Sequence, residues 1–329
     1  MFISLFTSVE SGIIYAIMAL GVYLSFRVLD FPDLTVDGSF VTGAAIGAVA
    51  IMNGASPVLA TILAAVAGFA AGCLTGILHT KGKINPLLSG ILMMTALYSI
   101  NLRIMGQPQI SMLNESTLFT QLRDFWQGLG IDSALNSMLT SLGMDRVPPT
   151  WSILIVMLIV TLVIKFLTDY FLKTEVGLAL RATGDNKRMI RSFSANTDRL
   201  IIIGLGLSNA LVALSGGLVA QYGGFADVGL GIGMIIIGLA SVIIGEALFG
   251  TKTIARTTLA VIGGSIVYQI VRTFALQVEF LKTGDMKLIT ALLVIIALVA
   301  PKLWKTHKEK KRRLRKRAAM QQPEAEGVQ

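Results

Sequence analysis

Nine long apolar runs, separated by short polar stretches, constrain this chain more than any other feature. They cover roughly 6–28, 36–52, 58–78, 87–104, 151–170, 200–222, 228–248, 257–274 and 288–301. A helix needs about 20 apolar residues to cross a bilayer. Hydrocarbon offers no hydrogen bonds, so a crossing segment must satisfy its backbone internally. Runs of this length predict an all-α polytopic membrane protein of about nine spans. The second and ninth runs are the short ones.

Composition agrees. Only 14% of the residues are charged, against about 25% in an ordinary soluble domain. The net charge of +9 is local, because ten of the 28 Lys and Arg lie in the tail 302–329. That concentration argues against a nucleic-acid-binding face and for an anionic lipid surface, where each basic residue contributes about 1 kcal/mol. One cysteine, Cys73, and two histidines cannot assemble a Cys/His zinc cluster, so no metal site is expected. The N-terminus has neither a basic n-region nor a small-residue cleavage site, so the first span is expected to serve as its own targeting signal.

Orientation is read from the Lys/Arg distribution. With the basic tail in the cytoplasm and nine spans, 22 of the basic residues fall inside and six outside. This predicts an N-out, C-in transmembrane domain over 1–301, with 106–150 external and 173–199 cytoplasmic. The external loop holds two amphipathic stretches, read as short interfacial helices.

The cytoplasmic loop carries the most informative local pattern. Leu178, Ala179, Leu180 and Ala182 form a short apolar helix between polar flanks. Gly184 stands where a left-handed residue would end it, and Asp185 or Asn186 can cap a second helix. Such a helix fits either a groove in a partner protein or the lipid headgroups. At the other end, Pro32 forces its predecessor out of helical geometry and ends the first span. Asp33 and Asp37, four residues apart, share a face if the segment is helical. Pro32 and Asp37 are read as a hinge beside a pathway, and Asp33 as a solvated acid in a surface turn. Thr95, Asn101 and Asn209 are polar residues inside predicted spans, so they are expected to face the bundle or a water-filled path. Gly68, Gly72 and Gly76, spaced by four, mark a face for close helix contact within the subunit.

These segments resemble a known family. The loop E-V-G-L-A-L-R-A-T-G-D-N, followed by N-T-D-R, looks like the cytoplasmic loop of permeases from branched-chain amino-acid and ribose type bacterial ABC importers. The opening S-G-I-I-Y-A-I-M-A-L-G and the turn L-A-S-V-I-I-G-E-A-L-F-G are similar to the same family, and the likeness spans roughly 11–300. The resemblance implies a small-residue first helix that ends in an irregular stretch and re-enters as a Gly-rich helix. It implies an ATPase-coupling segment at Glu175, Leu178, Leu180, Arg181, Gly184, Asp185 and Asn186. It also implies three partners: an ATP-binding cassette ATPase, an extracellular or periplasmic solute-binding protein, and a second permease copy, with a homodimer expected.

The implied function is the translocation subunit of an ATP-driven importer in the bacterial inner membrane, for amino acids or similar small polar metabolites. The G-E-A-L-F-G-T-K-T stretch at 245–253 imitates a P-loop but has one residue too many before Lys252 and follows an apolar helix rather than a strand. No cofactor is therefore expected on this chain, with ATP and Mg held by the partner, and no catalytic constellation is expected either. The competing reading is an ion-coupled secondary transporter, which usually shows ionisable residues or broken helices at mid-membrane. Mid-span charge is scarce here, which counts against it.

Overall fold

The computed structural model describes residues 2–276, apart from 129, 131, 134–135, 138–139, 141–146 and 193–194, together with a few isolated positions between 288 and 299. Helix α1 (Phe2–Tyr23) passes into a π turn (Leu24–Val28). It is followed by α2 (Thr35–Met52), α3 (Pro57–Thr80), α4 (Pro86–Met105), strand β1 (Gln109–Ser111) and α5 (Leu118–Gln127). Then come α6 (Ser152–Lys173), α7 (Glu175–Ser192), α8 (Thr197–Gly223), strand β2 (Phe225–Asp227), a 3₁₀ turn (Val228–Gly231), α9 (Met234–Phe249) and α10 (Ile254–Leu276). Among the described residues, eight helices are long and apolar enough to cross a membrane. Most of the ninth apolar run, the basic tail and most of the second amphipathic stretch of the 106–150 loop lie outside the described residues.

The bundle is organised around α8, along which α1, α2 and α3 all pack. Small residues make this possible. Gly68, Gly72 and Gly76 of α3 face Ala213 and Asn209, Leu205, and Ile202 of α8, and a Cβ at Gly72 would overlap the Leu205 carbonyl oxygen. Gly43 of α2 meets Ala213 in the same way. Without a hydrophobic force between helices in lipid, such backbone approach is what van der Waals packing requires. The outward faces are apolar instead: Val58, Leu59, Ile62 and Val66 of α3 are all exposed.

Two connections are broken inside the bundle. After the π turn, Asp30 takes φ 51°, Phe31 N donates to Ser25 O at 2.9 Å, and Pro32 keeps the chain extended. The chain thereby turns back into the bundle, and α2 begins among buried neighbours: Thr35 Oγ1 lies 2.8 Å from Thr75 Oγ1 of α3. After α8, Gly224 at φ 72° ends the helix and β2 pairs antiparallel with β1, Ile110 opposite Ala226. The 3₁₀ turn then leads to α9, which runs back toward the end bearing α7. The two breaks share a device. Asp33 Oδ1 accepts from Thr35 N at 2.9 Å, and Asp227 Oδ1 from Gly229 N at 2.6 Å. The sequences F-P-D-L-T and F-A-D-V-G thus precede two antiparallel re-entering helices.

At the end opposite α7, the amphipathic α5 is capped by Thr117, whose hydroxyl accepts from Thr120 N at 3.3 Å. It lies on the terminus of α8 through Phe119, edge-on to Tyr222 at 5.5 Å.

Candidate translocation cleft

The N-termini of the two re-entering helices converge. Gly233, at φ 88°, provides no side-chain cap for α9, yet the first N–H groups of a helix need acceptors. Asp37, in the first turn of α2, supplies them: Oδ2 accepts from Gly233 N at 3.0 Å and Oδ1 from Ile235 N at 2.8 Å. The positive ends of two helix dipoles thereby meet at one carboxylate. Gly231 lies against the Asp37 carbonyl, where a Cβ would overlap.

Beside this junction, α2, α4 and the 228–232 segment enclose a cleft of about 380 Å³ lined by Asp37, Thr95, Tyr98, Asn101 and Ile232 among others. Asn101 is fully buried. Its Nδ2 donates to Gly38 O at 3.2 Å, while its Oδ1 has no partner. Thr95 and Tyr98 sit halfway along α4 and turn outward, Tyr98 being 53% exposed. A polar stripe at that height is out of place against lipid chains. The cleft thus brings together three residues singled out from the sequence, Asp37, Thr95 and Asn101, and holds one buried acceptor, Asn101 Oδ1, without a donor.

Of the remaining two, Pro32 is exposed and Asn209 belongs to a deeper, buried cluster. Asp33 corrects the sequence reading: it is not a solvated acid at the surface but is completely buried. Its Oδ2 accepts from Asn209 Nδ2 at 2.7 Å. Asn209 is the thirteenth residue of α8, about 18 Å along it at 1.5 Å per residue. The extended stretch after Pro32 carries the carboxylate inward, and hydrogen bonds to the amide and to Thr35 N offset part of its desolvation.

The α7 segment departs from expectation in two ways. Gly184 does not end a helix in a left-handed conformation. The helical residues continue to Ser192 across a kink at Asn186, at φ −155° and ψ 88°, and Asn186 Oδ1 then caps the second part by accepting from Met189 N at 3.1 Å. Gly184 is small for a different reason: a Cβ there would overlap the Val28 carbonyl oxygen. Leu180 is fully buried, packed with Leu29, Leu172 and Leu205 in the chain's own core. The apolar side chains that α7 offers outward are Val176, Leu178 and Met189, each more than 40% exposed. Glu175, Asp185 and Asn186 are exposed, and Arg181 is half-buried. Burial, reinforced by Arg191 and opposed by Asp198, pushes the Lys187 ammonium below its ordinary value.

Two ion pairs were not recognised from the sequence. Lys165 and Asp169 form a buried pair within α6 at 2.6 Å, with Asp169 also accepting from Thr258 of α10 at 2.7 Å. Their i,i+4 spacing was the available signal. Arg27 pairs with Glu246, joining the end of the π turn to the last turns of α9. Gly245, in the stretch that imitates a P-loop, lies inside α9 against Ala260 of α10.

A helical bundle with eight helices long and apolar enough to cross a membrane, two of them re-entering to meet at a polar cleft, is a multi-pass membrane protein, and in bacteria such a protein resides in the inner membrane. Residues 4–299 match the family described as branched-chain amino acid transport system / permease component, and the chain belongs to that family. It is 41% identical over 289 residues to the tyrosine transport system permease protein of Clostridioides difficile (strain R20291), covering 88% of each chain. It is also 34% identical over 210 residues to an uncharacterized protein of Rickettsia prowazekii (strain Madrid E), covering 64% of this chain and 65% of the other. No solved structure matches the chain. The chain is therefore the membrane-spanning translocation subunit of an ABC-type importer. That membership, and not the scarcity of mid-span charge, sets aside the secondary-transporter reading, since broken helices and a buried carboxylate are both present.

Proposed function

We propose that this permease carries an amino acid, with tyrosine the first to test, through the cleft between α2, α4 and residues 228–232. The observation that carries the proposal is the junction of two re-entering helices at Asp37 beside the unpartnered Asn101 Oδ1. Discontinuous helices are where transporters build their solute sites. One unpaired amide oxygen beside the Asp37 carboxylate, within apolar walls, suits an ammonium group on an apolar or aromatic body. The tyrosine transport permease that the chain resembles supports this class of solute. In this reading two copies face each other across the Thr95 and Tyr98 stripe of α4. Energy comes from a separate ATPase, this chain holding no nucleotide, and a binding protein delivers the solute to the end bearing α5. The basic tail rests on anionic lipid, and the chain is N-out and C-in.

The test is reconstitution of the permease with its ATPase and binding protein in proteoliposomes. ATP-dependent tyrosine uptake, reduced at least tenfold by Asn101→Leu with assembly intact, is the expected result. Uptake driven by an ion gradient without ATP, or no amino-acid uptake, would overturn it. Cysteines at Ser192 and Ser116 on a Cys73→Ala background should label from opposite membrane faces.

A further inference from the structure

A second cavity, of about 450 Å³, lies between α1, α8, α10 and the 225–230 segment, at the end opposite α7. Its chemistry is the reverse of the cleft's. Gln269 is only 3% exposed, and its Nε2 has no hydrogen-bond partner. Arg272, one turn on, donates to Gln269 Oε1 at 3.4 Å and is within hydrogen-bond reach of the Tyr15 phenol, while its Nε is buried without a partner. Among the described residues no carboxylate pairs with this guanidinium. Glu10, the nearby acid on α1, is turned to Tyr222, whose hydroxyl donates to it at 3.1 Å. Serine and threonine hydroxyls from α1 and α10 complete the polar side, and Tyr15, Tyr222 and Phe225 form an aromatic wall.

A half-buried guanidinium beside an unpartnered buried amide, with no carboxylate partner among the described residues, is costly unless an anion joins it. Its planar fork, next to an amide donor, matches a carboxylate. We infer that this cavity binds the carboxylate of an amino-acid-sized solute, with Arg272 and Gln269 as its donors and the aromatic wall against its side chain. The volume is within the range of small-molecule sites. The inference deepens the amino-acid reading above and rests on it, adding a site separate from the cleft. Phosphate in a lipid headgroup shares the oxyanion chemistry, so the experiment separates the two sources.

Full-length permease in phosphatidylcholine nanodiscs would be titrated with radiolabelled tyrosine, and with tyramine, which lacks the carboxylate. Tyrosine binding is expected, with tyramine at least tenfold weaker, and Arg272→Gln weakening tyrosine by roughly tenfold or more, as loss of a charge-assisted hydrogen bond implies. Gln269→Leu removes only the amide donor and serves where Arg272→Gln does not fold. Equal binding of tyramine, or wild-type affinity in both variants, would overturn the site. So would arginine-dependent retention of phosphatidylglycerol with no tyrosine binding, which assigns the cavity to lipid. Glu279 lies outside the described residues; tyrosine binding that appears only in Glu279→Gln would show that this acid neutralises Arg272, and would equally overturn the site. If the reconstituted importer moves tyrosine while Arg272→Gln binds it normally, the site fails and the transport reading stands. If no amino acid is imported, the transport reading itself fails.

Discussion

Asp37 is the residue whose loss should be felt most clearly in both stability and transport. Its carboxylate accepts two backbone hydrogen bonds, from Gly233 N at 3.0 Å and Ile235 N at 2.8 Å. A hydrogen bond to a charged group contributes roughly 1.5–3 kcal/mol, and removing a helix cap costs about 0.5–2 kcal/mol. The two bonds are not additive, since both belong to one cap, so Asp37→Ala should destabilise by about 3 kcal/mol. Asp37→Asn keeps one acceptor oxygen and should lose about half of that on the same scale. Thermal denaturation in nanodiscs measures the order, and ATP-driven uptake in proteoliposomes measures the consequence. With its cap gone, the first turn of α9 is released from α2, so uptake should fall further than stability alone explains, with Asn between wild type and Ala. Wild-type melting and uptake in Asp37→Ala would refute the claim that this carboxylate joins the two helices.

Three further outcomes follow from the geometry. Lys165→Met should destabilise by roughly 3–5 kcal/mol, because it leaves the buried Asp169 carboxylate unpaired, while the double variant Lys165→Met/Asp169→Leu should return close to wild type; denaturation of these two, of Asp169→Leu and of the wild type forms the cycle. Leu178→Asp should fold normally and lose co-purification with the ATPase, whereas Leu180→Asp should fail to accumulate in the membrane, since that side chain is fully buried. Gly72→Leu should abolish membrane accumulation, because its side chain has no room against the α8 backbone.

The sequence made the spans legible because bilayer crossing depends on length and hydrophobicity, both local properties. Of the described spans, all eight coincide with apolar runs to within a few residues, and Pro32 correctly marked the end of the first helix. The spacing of Gly68, Gly72 and Gly76 announced a contact face but not which helix it would meet. Asp33 was misread because its cost at membrane depth was weighed without its partner, and Asn209 is 176 residues away. Leu180 and Gly184 were misread for a related reason. An isolated loop helix looks exposed, and only the fold shows that Val28 and Leu29 lie beneath it. Asp37 drew attention by its i,i+4 relation to Asp33, yet its actual partners are backbone groups of a helix nearly 200 residues on. Arg272 and Gln269, three apart on one helix, became a site only when α1 and the 225–230 segment closed around them.

The contact beneath α7 suggests how a push from the ATPase would reach the cleft. Gly184 rests on the Val28 carbonyl, and Leu180 packs on Leu29, so α7 bears directly on the segment between the π turn and α2. The π turn is tied to α9 through Arg27 and Glu246, and the stretch after it is tied to α8 through Asp33 and Asn209 and leads into the helix that carries Asp37. A displacement of α7 would therefore move both re-entering helices, one through its own N-terminal lead and the other through the ion pair and the cap. Spatial continuity is not by itself evidence of coupling, so the contact must be perturbed without touching the docking surface. Gly184→Ala does this. The added methyl must displace α7 from Val28, while Val176 and Leu178 remain available outside. Assembly with the ATPase and ATP hydrolysis should persist, and the amount of solute moved per ATP should fall several-fold. Unchanged stoichiometry in Gly184→Ala would refute this route and shift attention to the turn between α9 and α10, where Arg256 Nε donates to Phe249 O at 2.7 Å.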